Sequence, residues 1–212
     1  DAFTAMWVYT WPYGDRSPVF AELPAGVGIF HHIEKDAVVQ KEGYQKRIWD
    51  YSIDHQGPTA QMQTLARLAH DTSRPLFVKT ETGIGLEVFQ FPYVPALQHL
   101  ADKWQRVRDL GPTGVHQSWL FFGMFGSRAE ELGLWAAYAP DMDRDEFLAR
   151  MAQRDFGPDA VRDVLDAWAC MSRAVRHLPC LMLANYYVGP TFLGPAHPLM
   201  PHKGAAIPDA FC

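Results

Sequence analysis

Aromatic and ionisable side chains recur at the ends of short apolar runs in this chain. Residues 5–11 carry Trp7, Tyr9 and Trp11, residues 28–34 carry His31, His32 and Glu34, residues 77–81 close on Lys79 and Glu81, and residues 115–119 hold His116 and Trp119. In parallel α/β folds, ligand chemistry is built at the C-terminal ends of strands. Flat rings can take the C–H face of a pyranose, and carboxylates can accept hydrogen bonds from its hydroxyls. Such a set at strand ends points to a carbohydrate ligand.

Side chains alternate along a strand, so Lys79 and Glu81 point to the same side. If that side is the interior of the fold, Glu81 is the candidate catalytic base or a hydroxyl ligand beside Lys79; a buried ion pair of purely structural role has the same pattern. Glu87 lies in a glycine-containing loop, where a carboxylate can accept from a pair of sugar hydroxyls. Trp119 is the candidate floor of a sugar subsite. Trp7, Tyr9 and Trp11 share one strand face, and Trp11, nearest the following loop, is the expected interior ring. Glu34, with Asp36, is expected among the hydroxyl ligands or the solvated loop charges, and Asp50 and Tyr51 are expected in a hairpin near the site. His31 and His32 are neighbours on a strand and point to opposite faces, which disfavours a shared metal ion. Gly83-Ile84-Gly85 lacks the third glycine of a dinucleotide fingerprint, and no G-x-S-x-G elbow is present, so neither a nucleotide cofactor nor a serine nucleophile is expected.

The elements that must position these residues follow from periodicity and punctuation. Alternation predicts strands over residues 5–11, 27–33 and 47–53, with a β-hairpin excursion around residues 40–43. Met62, Leu65, Ala66 and Ala69 repeat at helical spacing after Gly57-Pro58, with Pro58 suited to the first helical position. A buried strand over 75–80 follows. Leu97, Leu100, Ala101, Trp104 and Val107 form the next helical stripe, closed by Gly111. After a strand from Gly114 to Phe122 only helices are expected: Ser127 with Glu130 reads as a capping box, Asp143 with Glu146 as an Asp-capped start, and Gly157-Pro158 as the opening of a third helix. A Pro- and Gly-rich irregular tail ends the chain.

This succession predicts an α/β fold, specifically the C-terminal half of a (β/α)8 TIM-type barrel over residues 1–126, followed by a helical extension with an irregular tail over 127–212. The chain has 212 residues, 48% of them hydrophobic, which suffices for a real core. Its net charge of -5, with 19 basic and 24 acidic residues and no basic run, gives no footprint for nucleic acid. No apolar stretch is long enough for a membrane span. Cys170, Cys180 and Cys212 show neither a disulfide framework nor metal spacing.

Taken in order, Asp50-Tyr51-Ser52-Ile53 with Gly57-Pro58, Glu87 with Pro92-Tyr93-Val94-Pro95, Ser118-Trp119 with Phe122-Gly123, and Asp155-Phe156-Gly157 with Ala167-Trp168 carry a resemblance. Over about residues 45–200 the chain resembles the C-terminal half of glycoside-hydrolase-like barrel proteins related to the β-N-acetylhexosaminidase class. The resemblance implies hydrolysis of a glycosidic bond through an oxocarbenium-like transition state, with one carboxylic acid at the leaving oxygen. In that class an Asp-Glu pair on the fourth strand assists the substrate acetamide; the Tyr51 hydroxyl can support an oxazoline-type intermediate, or its ring merely packs in the hairpin. The only Asp-Glu pair placed near an element end here, Asp145-Glu146, lies at a helix start. The general acid is therefore expected on a missing N-terminal half of the barrel, with this chain holding the sugar-binding side. The alternative is a non-catalytic carbohydrate-binding module of a larger protein. A half barrel using His31 or His32 for metal-dependent hydrolysis is a third reading, which predicts metal in the purified protein.

Overall fold

The computed structural model describes residues 3–9, 11–41, 44–49, 52–80, 94–117, 127–139 and 141–177. Its centre is a four-stranded parallel sheet of β1 (Thr4–Trp7), β2 (Val27–His32), β5 (Leu76–Thr80) and β6 (Gly114–Gln117), in the order β1-β2-β5-β6. Between β2 and β5 the chain makes an antiparallel hairpin of β3 (Val38–Lys41) and β4 (Tyr44–Arg47). The helices are α1 (Ser17–Ala21), α2 (Ala60–Asp71), α3 (Leu97–Asp109), α4 (Arg128–Tyr138), α5 (Arg144–Phe156) and α6 (Val161–Val175), the last preceded by a 3-10 turn at Pro158–Ala160.

Period-2 alternation divides each strand between two environments. Val8, Ile29, Ile33, Leu76 and Val78 belong to one apolar core with Met62, Leu65 and Ala69 of α2 and Leu97, Leu100, Trp104 and Val107 of α3. Each of the Val, Leu, Ile and Met side chains contributes about 1.5–3 kcal/mol by leaving water. The same core continues through Leu132 and Trp135 of α4, Leu148 and Met151 of α5, and Trp168 and Val175 of α6. Gly133 permits this packing: a Cβ there would meet the Trp104 ring at 2.7 Å and the Gln117 amide nitrogen at 2.1 Å.

The coarse expectation of an α/β fold with a parallel sheet and later helices holds. Boundaries differ where local signals competed. The hairpin strand is Tyr44–Arg47 where a strand over residues 47–53 is expected; Ile48 just beyond it still bonds the backbone of Ala37 and Asp36 and joins Ala37 and Val39 in a small core, and residues 50–51 lie outside the described residues. The helix after Gly57-Pro58 is capped by Thr59, whose hydroxyl accepts from the Met62 N–H, so Pro58 precedes the cap instead of opening the helix. The capping box at Ser127 and the Asp143 cap are both formed, and Gly111 takes φ +60° beyond α3. No described helix is long and apolar enough to cross a membrane.

Candidate functional site

The register assembles two rows on the sheet face opposite the apolar core. Trp7 pairs with Phe30, Phe30 with Phe77 and Phe77 with Gly114; one step toward the C-terminal ends, His32 pairs with Lys79 and Lys79 with His116. The first row is an aromatic surface. Trp7 stacks on Phe30 at 5.1 Å between ring centroids and on Tyr9 at 4.9 Å, while Phe77 meets Phe30 edge-on at 6.2 Å. Glycines flank Phe77: a Cβ on Gly28 would come within 3.2 Å of its ring and one on Gly114 within 3.0 Å. Their lack of a side chain lets the Phe77 ring lie along the sheet.

The second row carries the polar groups. Lys79, fully buried, places Nζ 2.8 Å from His116 Nδ1 and 5.3 Å from the centre of the Trp7 ring. His32 lies 5.8 Å from Trp7 and 6.1 Å from Tyr9. Burial first, then the charges of its neighbours, holds His32 well below the ordinary imidazole range. Burial followed by the Lys79 ammonium lowers His116 as well. The row therefore combines one ammonium with two imidazoles that stay neutral at physiological pH, beside the stacked rings.

Glu34 is placed elsewhere. It was expected to meet sugar hydroxyls, but it is fully buried and its carboxylate turns to the helix side. There it pairs with Lys103 of α3 and accepts from the Thr80 hydroxyl at 3.1 Å. The physical reason is the buried Lys103 ammonium, which demands a counter-charge inside the core. Asp36 is likewise engaged, by Arg16. His31 is buried, with Nδ1 donating to the His32 carbonyl at 2.8 Å, and burial depresses it to about 4.

Loop geometry beneath the site is set by α3. Lys103 Nζ donates to the Ser52 carbonyl at 2.7 Å, His99 Nε2 to the Ile53 carbonyl at 3.0 Å, and Arg106 to the Gly57 carbonyl at 2.9 Å. On the hairpin side, Lys35 donates to the Trp49 carbonyl at 2.8 Å and lies over the Trp49 ring, and Tyr13 meets that ring edge-on at 5.2 Å.

Of the residues singled out from the sequence, Glu81, Glu87, Trp119, Asp50 and Tyr51 lie outside the described residues. Trp11 is half-buried against the apolar core, whereas Trp7 and Tyr9 of the same run form the aromatic surface. Phe30 and Phe77 are not among the side chains singled out from the sequence, and His116 is noted there only as part of a strand end. Strand alternation from Lys79 and Trp7 would have pointed to their face, but the pairing itself is a matter of register. Among the described residues, no group of three or more His, Cys, Asp or Glu side chains is arranged to hold a metal ion.

Comparison with protein-family models, with curated proteins and with solved structures gave no match.

Proposed function

We propose that the Trp7–Phe30–Phe77 surface, with the His32–Lys79–His116 row above it, is the sugar-binding side of a glycoside-hydrolase-type site of the β-N-acetylhexosaminidase kind. The observation that carries this reading is the pairing of stacked ring faces with a row of hydrogen-bonding groups at strand C-terminal ends. Aromatic rings receive the C–H side of a hexose, and the adjacent nitrogens reach its oxygens.

Support for the half-barrel form comes from sequential strand order, helices α2 and α3 on one sheet face, and the aromatic and polar rows on the other. In a barrel the second face is the interior, and further strands would continue from β1 or β6. Glu81 follows Lys79 by two positions and is the candidate carboxylate for chemistry at the anomeric carbon, the general acid coming from outside this chain. The alternative is a carbohydrate-binding module without catalysis. It is favoured by one observation: among the described residues, the aromatic and polar rows carry no carboxylate.

The test is an assay of the complete gene product, so that a general acid outside these residues is present, against aryl β-N-acetylglucosaminide, N-acetylgalactosaminide and other aryl hexosides, alongside Glu81→Gln and Trp7→Ala. Turnover that falls in both variants supports the glycosidase. Saturable binding that needs Trp7, with no turnover, selects the binding module. Absence of both binding and turnover across the panel removes the carbohydrate reading.

A further inference from the structure

Lys79 and His116 are direct cross-strand partners on β5 and β6, so their side chains leave the same face at neighbouring points. An ammonium has only donors, and the 2.8 Å contact reaches the imidazole at Nδ1. Nδ1 must accept, and the ring proton then resides on Nε2. The His116 ring also lies 6.4 Å from Trp7 and 6.0 Å from Phe30, within the aromatic surface, and the residue is exposed.

We propose that Lys79 is a positioning residue, which fixes His116 as the neutral Nε2–H tautomer, and that His116 presents this N–H to an oxygen of a sugar bound beside the stacked Trp7 and Phe30 rings. The second half rests on the sugar-site reading above; the first half does not. A backbone-imposed Lys–His contact removes the ambiguity that an isolated imidazole has between its two tautomers. The donor is then preorganised before ligand arrives, and less of the binding free energy is lost to ordering it. The titratable groups facing this row among the described residues are Lys79 and, on the far side of Lys79, His32. Burial of the ring and the Lys79 cation oppose protonation of His116.

The deciding measurement is the ¹⁵N and ¹³C spectrum of histidine-labelled protein near pH 7.5, followed by acid titration. His116 should show a pyridine-type Nδ1 and a protonated Nε2, with a midpoint below the ordinary value, and Lys79→Met should mix the tautomers and raise the midpoint. Binding of methyl β-N-acetylglucosaminide should weaken about tenfold in His116→Ala and in Lys79→Met, the loss expected for one hydrogen bond. His116→Gln, whose amide N–H occupies the Nε2 position, should retain binding within about threefold. An Nδ1–H tautomer in the unmodified protein overturns the proposal, and that spectrum decides it even if Lys79→Met does not fold. Unchanged tautomer and midpoint in a folded Lys79→Met overturn it too. The expected tautomer without any sugar binding overturns the ligand half and the sugar-site reading together, while leaving Lys79 as the residue that sets the ring.

Discussion

Glu34, two residues beyond the end of β2, is ion-paired with Lys103 in the middle of α3, and neither side chain is open to solvent. The pair joins the C-terminal end of a central strand to the helix that organises the rest of the core. Truncating one partner leaves the other charge buried, which costs about 3–5 kcal/mol. Lys103→Met and Glu34→Gln should each lower the unfolding free energy measured by urea titration by an amount in that range. The double variant should recover much of the loss, since a neutral pair carries no stranded charge. Equal and independent losses in a double-mutant cycle would show that the two side chains do not meet.

Acid should destabilise the fold before the carboxylates titrate. His31 is neutral in the folded protein down to about pH 4, because burial opposes its charge, whereas its unfolded value is the ordinary one near 6.5. Between those values the unfolded chain binds a proton that the folded chain does not. Stability therefore falls as pH drops through that window, by up to about 1.4 kcal/mol per unit for this one group. Above pH 7 both states are neutral and the contribution is flat. His32, shifted in the same direction, steepens the slope. Urea midpoints at pH 7.5, 6.0 and 5.0 measure it, and His31→Leu should flatten the profile; an unchanged slope in that variant would falsify the assignment.

Gly133→Ala tests the approach of α4 to α3. The added methyl would stand 2.7 Å from the Trp104 ring, whose position is fixed by the surrounding core. Overpacking of this kind costs about 1–3 kcal/mol, despite the better helix propensity of alanine. Thermal unfolding should show the loss. A stabilised variant would mean that α4 sits farther from α3 than described.

Ser127→Ala removes one half of a complete capping box, in which the hydroxyl accepts from the Glu130 N–H and the Glu130 carboxylate accepts from the Ser127 N–H. A loss of about 1 kcal/mol is expected. Because α4 packs on the same core as the sheet, the loss should appear in the main unfolding transition rather than as separate fraying of a helical tail.

Much of the scaffold was legible in the sequence because it rests on signals within a few residues of one another. The apolar runs of β2 and β5, the stripe of α3 ending at Gly111, and the caps at Ser127 and Asp143 are of this kind. The five-residue α1 was not legible, being too short for any periodicity. Residues 47–53 alternate as well as a strand does, yet only Arg47 of that run belongs to β4, because strand pairing depends on the partner β3. The buried face of α3 is wider than its apolar stripe, taking in His99 and Lys103, because Glu34 and residues 52–56 cover that flank and α6 meets it at Ser172. The candidate site was least legible. Its face could be expected from alternation, but the meeting of Trp7 with Phe30 and of Lys79 with His116 is fixed by register across strands far apart in the chain.

His99, Lys103 and Arg106 recur on one face of α3 and hold the carbonyls of Ile53, Ser52 and Gly57. Every residue type owns a carbonyl, so the loop supplies what any sequence would supply, and the helix supplies what only particular side chains can. The specification of the loop's shape is thus written in a segment more than forty positions away. A single replacement on α3 would loosen the loop without touching it, and within the loop itself the constraint falls on Ile53, buried in the apolar core, on Gln56, which donates to the His99 carbonyl, and on Gly57, at φ +63°.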